Sequence, residues 1–278
     1  MPELPEVETI RRDLDKEVVG KKIKSVDVET MRAVRRHPNK KNFAERLEGA
    51  KVTGLRRRGK WLLFSLDSDD VLVAHLGMSG QLRRHANKDE MAKHTHVVIT
   101  FTQKGQLRFV DPRTFGELFI TDAEELEKEV TELRDLGFDP VDTPMSWTAF
   151  AEKLYERSVK LKPLLMDQKF IAGIGNIYSD EILFQAGLRH DRLSNTLSTQ
   201  ELRRLYRAVV ETLHDAIKYG GSTLSDGGYV NAHGEPGSYQ EHHEVYDREG
   251  EPCRRCRAPI QKMKISKRSH YYCEQCQV

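Results

Sequence analysis

The chain has 278 residues, enough for two domains and a small appendage. Its 45 Lys and Arg residues nearly balance its 43 Asp and Glu residues, so the formal net charge of +2 does not by itself indicate a polyanionic partner. No apolar run approaches the roughly 20 residues of a membrane helix, and the charged start argues against a secretory signal. We therefore expect a globular, cytoplasmic protein.

The chain opens with Met1-Pro2-Glu3-Leu4-Pro5-Glu6. Prolines and acids at this spacing are typical of an ordinary helix start, where the acids complement the helix dipole. Pro2 also has a chemical interpretation, because removal of Met1 would leave a secondary α-amine. An α-amine has a reference pKa of about 7.7–8.0, so much of it is unprotonated and nucleophilic at neutral pH. These residues alone leave both interpretations open.

Apolar residues spaced three or four apart predict a first helix over 5–19, which Gly20 would end. Short β-rich runs follow, and apolar and polar residues alternate most clearly at 23–28 and 52–55. Seven strands of this kind suggest a sandwich or a barrel. The predicted strands are 22–30, 51–57, 61–66, 71–76, 96–101, 107–110 and 117–121.

The acidic stretch 122–142 ends the strand pattern and indicates a domain boundary. Beyond it, helices are predicted at 147–157 and 177–186, and a capping box at Ser198 and Glu201 opens a third helix. A glycine-rich loop, 220–239, leads to the last module. The fold class is therefore α+β with several domains.

All four cysteines belong to one arrangement, Cys253-x-x-Cys256 and Cys273-x-x-Cys276. Two such turns can present four thiolates tetrahedrally to one Zn²⁺, with a hairpin between them. Two disulfides are the alternative, but the expected cytoplasmic location and the lack of a stray cysteine favour zinc. Four protein ligands leave no open position for water, so we expect a structural metal. The basic hairpin suits contact with phosphate, or it is merely solubilising.

The segment Gly173-Ile-Gly-Asn-Ile-Tyr178 places glycines directly before a predicted helix. Glycines allow close backbone approach, and a helix start offers N–H groups to a phosphate. The segment lacks the strand and acidic partner of a dinucleotide fingerprint and the Lys-Ser/Thr of a P-loop. On its own it is a weak signal, although it would suit an anchor for a DNA backbone.

The chain resembles the formamidopyrimidine-DNA glycosylases, bacterial repair enzymes for oxidised purines such as 8-oxoguanine. Three features carry the resemblance in this order: the N-terminal segment, the segment Gly173–Tyr178 and the cysteine module. The resemblance runs nearly end to end. It includes the motifs His75-Leu-Gly-Met-Ser-Gly80, Lys93-His-Thr-His96, Asp111-Pro-Arg-Thr-Phe-Gly116, Leu165-Met-Asp-Gln168 and Gly220-Gly-Ser-Thr223.

The resemblance implies three domains and a partner. Residues 1–132 would form the N-terminal helix and a β-sandwich catalytic domain, and 133–246 a helix-two-turn-helix DNA-binding domain with a lesion-recognition loop. Residues 247–278 would form a four-cysteine zinc finger. The implied partner is double-stranded DNA that contains oxidised purines or abasic sites, bound by a monomer with no membrane association.

The resemblance also implies roles at a reaction centre. Pro2 would attack C1′ of the damaged nucleotide, expel the base and leave an iminium, and Glu3 would act as the acid/base residue in opening the sugar ring. Glu6 would orient these groups, with a simple helix-start role as the alternative. Lys60 would contact phosphate and transfer a proton during β-elimination. Arg268 would bind phosphate and act at δ-elimination.

Further residues match DNA-contact positions of the family. Met78, Arg113 and Phe115 would fill the stack that an extruded nucleotide vacates, and the loop 222–239 would close over the extruded base. The remaining implied DNA contacts are His94, Arg157, where some members have lysine, Lys162 and Asn176.

These residues are compatible with three functions. The first is a bifunctional glycosylase and AP lyase for oxidised purines. The second is endonuclease VIII, a sister family that prefers oxidised pyrimidines. The third is a non-catalytic, zinc-dependent DNA-binding protein. Leu4, Val7 and the triad with Met78 favour the purine enzyme, and the presence of Pro2 and Glu3 argues against a protein without activity.

Overall fold

The computed structural model describes residues 1–265 and 267–278. Over these residues the chain folds as two compact units. Unit 1 contains Met1–Asp135 and Tyr219–Ser238, and unit 2 contains Leu136–Lys218 and Tyr239–Val278. Among the described helices, none combines the length and the apolar character that a membrane crossing requires.

Unit 1 begins with helix α1, Leu4–Val18, one residue earlier at each end than predicted. Val7, Ile10 and Leu14 are fully buried, which confirms the predicted apolar face. Gly20 follows with φ of +85°, a conformation that glycine adopts without strain and that ends the helix.

Two four-stranded antiparallel sheets pack with α1 around one core in unit 1, so the predicted sandwich is confirmed. The strand orders are β1-β6-β7-β5 and β2-β3-β4-β8. Short helices flank them: α2, Lys40–Leu47; α3, Leu126–Glu129; and α4, Thr131–Arg134. The strands are β1 Ile23–Val28, β2 Val52–Arg58, β3 Trp61–Leu66, β4 Asp70–His75, β5 Gln81–His85, β6 Thr95–Phe101, β7 Gln106–Val110 and β8 Glu117–Asp122.

All seven predicted strands are present, but β5 was missed. Among its five residues only Leu82 is apolar, so no alternation marks it. The strand is held instead by pairing with β7 and by an ion pair of Arg84 with Glu17 of α1, at 3.1 Å. Tertiary contacts, which the local sequence does not show, therefore determine this edge strand.

The register of the sheets places two connections side by side. His75 at the end of β4 pairs with Glu117 at the start of β8, and Gln81 at the start of β5 pairs with Val110 at the end of β7. Each of the connections 76–80 and 111–116 therefore begins beside the end of the other. Thr95, at the start of β6, also pairs with Val110, so the segment before β6 reaches the same place.

The glycine-rich segment 219–238 returns to unit 1. Tyr229 and Ala232 are buried in the core of that unit, and the backbone N–H of Arg84 donates to the carbonyl oxygen of Ala232 at 2.7 Å. The segment is thus packed against the sandwich and not left as a free loop.

Unit 2 is mainly helical, with α5 Trp147–Tyr155, α6 Leu161–Met166, α7 Asn176–Ala186 and α8 Thr199–Lys218. Gly187 ends α7 in a left-handed conformation, and the capping box of Ser198 and Glu201 precedes α8, both as predicted. The unit ends with an antiparallel hairpin of β9, Gln261–Ile265, and β10, Arg268–Tyr272.

A buried ion pair fastens α1 to the sheet. Glu8 is 3% exposed and accepts from Arg11, Arg12 and the fully buried Arg57. Burial alone would raise the pKa of Glu8, but the hydrogen bonds and positive charges of these arginines lower it below the ordinary value of 4.5.

We expect Glu8→Gln to lower the free energy of unfolding by about 3 kcal/mol at neutral pH, because Arg57 stays buried without its charge partner. A depressed pKa contributes stability that is present above the unfolded-state value of 4.5 and is lost as pH falls through the folded-state value. Urea denaturation at about pH 7 and about pH 3.5 should therefore show a difference from the parent that shrinks in acid. Asp15→Asn, at an exposed partner of Arg11, is the control. An equal difference at both pH values would contradict the ion-pair account.

Candidate active site and metal centre

The start of α1 holds Pro2 and Glu3 in buried positions, with Met1 half exposed. The backbone N–H of Glu3 donates to Oε2 of Glu6 at 2.8 Å, within the capping box that opens the helix. The other oxygen of Glu6, Oε1, accepts the backbone N–H of Ser222 at 2.7 Å. An ordinary helix start requires only the first contact. The second joins the terminus to the glycine-rich segment, which supports an orienting role for Glu6.

Lys60 lies in the turn between β2 and β3 and is 8% exposed. Arg57 donates to the carbonyl oxygen of Gly59 at 3.0 Å and to Oε2 of Glu8 at 3.2 Å. The turn is thus tied to the helix that carries Pro2 and Glu3. The start of α1 and this turn, joined through Arg57, therefore carry four of the five predicted catalytic residues.

Four predicted DNA contacts are exposed in unit 1, in the three neighbouring segments 76–80, 92–96 and 111–116. Met78 is 42% exposed and Phe115 50% exposed, although large apolar side chains are usually buried. Arg113 and His94 are also exposed, and His94 has a left-handed backbone with φ of +63°. Apolar tips beside a guanidinium suit insertion into a base stack.

Asn176 and Arg268 lie in unit 2. Asn176 is the first residue of α7, and its Nδ2 donates to the carbonyl oxygen of Ser269, next to Arg268, at 2.9 Å. The side chain of Arg268 is exposed at the start of β10. Arg157 is 40% exposed at its side chain and pairs with Asp167 at 2.9 Å. The hydrogen bond of Asn176 thus joins the helix start to the strand that presents Arg268.

Lys162 is buried, unlike Arg157 and Arg268. Its side chain is 3% exposed and pairs with Asp180 of α7, which also accepts from Nδ1 of His270 and from the backbone N–H of Tyr271 at 2.9 Å. Lys162 therefore joins α6, α7 and β10 inside unit 2. Its predicted contact with DNA stays a prediction, whereas its contact with Asp180 is direct.

Sequence reasoning did not identify Asp180 as part of the site. A weak signal was available, because an acid in a helix as apolar as α7 requires a buried partner. Asp180 lies four residues after Asn176, so both project on one side of α7 and both bond to β10.

The four cysteines form one cluster in unit 2. Their Sγ atoms all lie within 4.8 Å of one another, with 3.9 Å between Cys253 and Cys276 and 3.4 Å between Cys256 and Cys273. All four are free thiols, so the disulfide alternative is not met. Zn–S bonds of about 2.3 Å give tetrahedral S···S edges of about 3.8 Å, close to these distances. The cluster fits one structural Zn²⁺.

Comparison with known proteins agrees with this architecture. Residues 1–118 match the formamidopyrimidine-DNA glycosylase N-terminal domain, residues 136–227 its H2TH domain, and residues 250–278 a zinc finger found in FPG and IleRS. The chain is 42% identical to formamidopyrimidine-DNA glycosylase from Geobacillus kaustophilus and 40% identical to that from Pelotomaculum thermopropionicum. The alignments cover 100% of this chain and 100% and 99% of the relatives.

Solved structures give the same result. The MutM (Fpg) protein from Thermus thermophilus is 40% identical with a TM-score of 0.89, and covers 99% of this chain and 98% of its own. A complex of Lactococcus lactis Fpg with abasic-site DNA is 35% identical with a TM-score of 0.90 and covers 99% of both chains.

The helix-led sandwich, the H2TH domain and the four-cysteine finger define a DNA-repair glycosylase with a structural zinc. The chain belongs to the formamidopyrimidine-DNA glycosylase family. It is a DNA glycosylase with AP lyase activity, and the predicted α+β fold and zinc finger are confirmed.

Removing the zinc should unfold the β9–β10 hairpin, because a segment this short cannot bury an adequate core without the metal. Hydrogen exchange should show lost protection in the hairpin amides, with strands β3 and β4 of unit 1 as the internal control. We also expect DNA affinity to fall by roughly tenfold or more, since the hairpin carries cationic side chains. Unchanged hairpin protection in verified apo-protein would contradict the structural role.

A side chain at Gly221 should disturb Glu6. Gly221 has φ of +78°, and an added Cβ would lie 2.6 Å from Oε1 of Glu6. We expect Gly221→Ala to slow base excision by roughly tenfold in single-turnover assays, since Glu6 must shift. Gly220→Ala is the matched control, because Gly220 also has a positive φ of +71° but its Cβ would meet nothing nearer than 3.8 Å. Equal losses in the two variants would mean that backbone strain, and not Glu6, is responsible.

Proposed function

We propose that the protein excises oxidised purines, 8-oxoguanine and formamidopyrimidines, from duplex DNA through a Schiff base on Pro2, and then cleaves the strand by β,δ-elimination. The observation that carries the proposal is the buried start of α1, where Glu6 joins Glu3 to the glycine-rich segment. Solved relatives support the substrate class: structures of Lactococcus lactis Fpg hold DNA that contains Fapy-dG, and one of MutM holds DNA that contains carbocyclic 8-oxo-G.

The chemistry begins when Met1 is removed and Pro2 gains a free secondary amine. Its lone pair forms a bond to C1′ of the damaged nucleotide, and the departing base takes the electron pair of the glycosidic bond. The N–H proton of Pro2 passes to the departing base, which restores the nitrogen lone pair that then forms the second bond of the C=N group. When the sugar ring opens, the C1′–O4′ electron pair moves to O4′, which accepts a proton from Glu3. The product is an iminium between Pro2 and C1′.

The iminium is permanently cationic because the attacking amine is secondary. It acts as an electron sink, so loss of a proton from C2′ expels the 3′ phosphate, and a further elimination expels the 5′ phosphate. Lys60 is the proposed proton carrier for the first elimination, and Arg268 the phosphate ligand for the second. Glu6 touches both Glu3 and Ser222 and acts by orienting them.

DNA recognition is divided among exposed side chains. We assign the filling of the vacated stack to Met78, Arg113 and Phe115, all exposed in unit 1. His94, Arg157 and Asn176 are assigned to contacts with the DNA backbone. Lys162 supports the hairpin through Asp180, and its contact with the DNA backbone is kept as a proposal beside that buried ion pair.

The wider assignments follow from the same function. We propose the domain division 1–132, 133–246 and 247–278, with the segment 222–239 closing over the extruded base. We also propose monomeric action in the bacterial cytoplasm, with association with the nucleoid through DNA, because the named relatives are bacterial DNA glycosylases.

Covalent trapping tests the proposal. Incubation with a duplex that contains 8-oxoguanine opposite cytosine, with borohydride present, should reduce the iminium and link Pro2 to the DNA. A parallel duplex with thymine glycol tests the preference for pyrimidines that endonuclease VIII would show. A failure to trap with Pro2 verified as the free terminus would overturn the Schiff-base mechanism, and faster processing of thymine glycol would favour the sister function.

Variants separate the roles of the first residues. Pro2→Gly should weaken base release and strand cleavage, whereas Glu3→Gln should slow excision of intact damaged nucleotides by roughly 10²-fold or more and affect abasic DNA less. A tag that extends the N-terminus should abolish trapping, and the same tag at the C-terminus is the control. Normal turnover with a blocked N-terminus would exclude Pro2 as the nucleophile.

A further inference from the structure

The carboxylate of Asp111 is completely buried in unit 1 and bonded at both oxygens. Oδ1 accepts from Oγ of Ser79 at 2.6 Å and from the backbone N–H of Arg113 at 3.2 Å. Oδ2 accepts the backbone N–H of Gly116 at 2.8 Å. An ionised carboxylate only accepts hydrogen bonds, and these three neutral donors match that requirement.

The backbone of Asp111 is bonded as well. Its N–H donates to the carbonyl oxygen of His94 at 3.0 Å, and its own carbonyl oxygen lies 2.8 Å from Nε2 of His96. One residue therefore contacts all three of the neighbouring segments 76–80, 92–96 and 111–116. These segments carry the four exposed side chains assigned to DNA in unit 1.

Segments 76–80 and 111–116 also touch through their backbones. A Cβ on Gly77 would lie 2.6 Å from the backbone nitrogen of Gly116, so no side chain fits between them. Thr114 has a left-handed backbone with φ of +56°, which a β-branched residue adopts only when its surroundings impose it. Arg35 supports the outer side, because its Nη1 donates to the carbonyl oxygen of Gly116 at 2.8 Å.

We propose that Asp111 is a positioning residue that makes Met78, Arg113 and Phe115 one preformed wedge. Its role in the reaction rests on the proposed function, since the wedge matters only if a nucleotide is extruded. Asp111 does not touch DNA. It acts by keeping three segments in one arrangement, so that insertion does not have to order each segment separately.

The Asp111→Asn substitution tests the proposal with little change of shape. The amide keeps one acceptor oxygen, but its NH₂ group must face a backbone donor, the N–H of either Arg113 or Gly116. In the free protein, hydrogen exchange at Arg113 and Gly116 should become faster by at least roughly tenfold. Asp122→Asn is the matched control, because Asp122 also accepts a loop N–H, that of Glu124 at 2.8 Å, but does so at the surface.

The exchange experiment does not depend on catalysis. If the parent enzyme excises nothing, the proposed function fails, while the exchange result still supports or overturns the junction at Asp111. Unchanged exchange at Arg113 and Gly116 would overturn it. If Asp111→Asn does not fold, Ser79→Ala removes one donor to the same carboxylate and takes its place in both experiments.

A double-variant cycle tests whether Asp111 acts through the wedge. We expect Asp111→Asn to slow single-turnover excision of 8-oxoguanine from duplex DNA by roughly tenfold. In a Phe115→Ala background the same substitution should cost less than roughly threefold, because the wedge is already impaired. Equal losses in both backgrounds would show a general structural effect and overturn the proposal.

Discussion

The carboxylate of Glu6 is the contact on which the candidate active site depends. It bonds to the backbone of Glu3 through one oxygen and to the backbone of Ser222 through the other, across more than two hundred residues of sequence. A chain terminus is normally frayed and unsuitable for chemistry. Here the capping contact fixes the terminus, while Leu4 and Val7 bury the helix beneath it. The nucleophile assigned to Pro2 therefore sits on a rigid element, as precise positioning requires.

The same physical device recurs wherever segments must be joined. Asp111 bonds to three segments of unit 1, and Asp180 bonds α7 to Lys162 and to β10. Glu181 accepts the backbone N–H groups of residues 244–246 at 2.8–3.0 Å. Complete burial raises the pKa of Glu181 to about 7, even though these three donors favour its charged form. Buried acids that accept backbone N–H groups thus fix the junctions between segments that are distant along the chain.

Sequence periodicity predicts the elements of the fold that are determined by residues close together in the chain. The helix that becomes α1, the capped helix α8 and the cysteine turns each have a pattern that a short window contains. Strand β5 lacks such a pattern because pairing with β7 and the Arg84 ion pair hold it. In the same way, the apolar helix α7 indicates that Asp180 needs a buried partner but not which one, because Lys162 and His270 are distant from it along the chain.

Exposed and buried motif residues differ in how far their roles can be inferred from the sequence. Met78 and Phe115 are large apolar side chains that are 42% and 50% exposed, so packing in the core does not account for them and a resemblance can suggest a role. Asp111 is the opposite case. Both oxygens of its buried carboxylate accept from neighbouring donors, and only the structure shows which segments those donors belong to. Gly77 and Gly116 complete the junction, since each occupies a place where a Cβ would meet backbone at 3.0 Å or less. The junction therefore depends as much on missing side chains as on the acid between them.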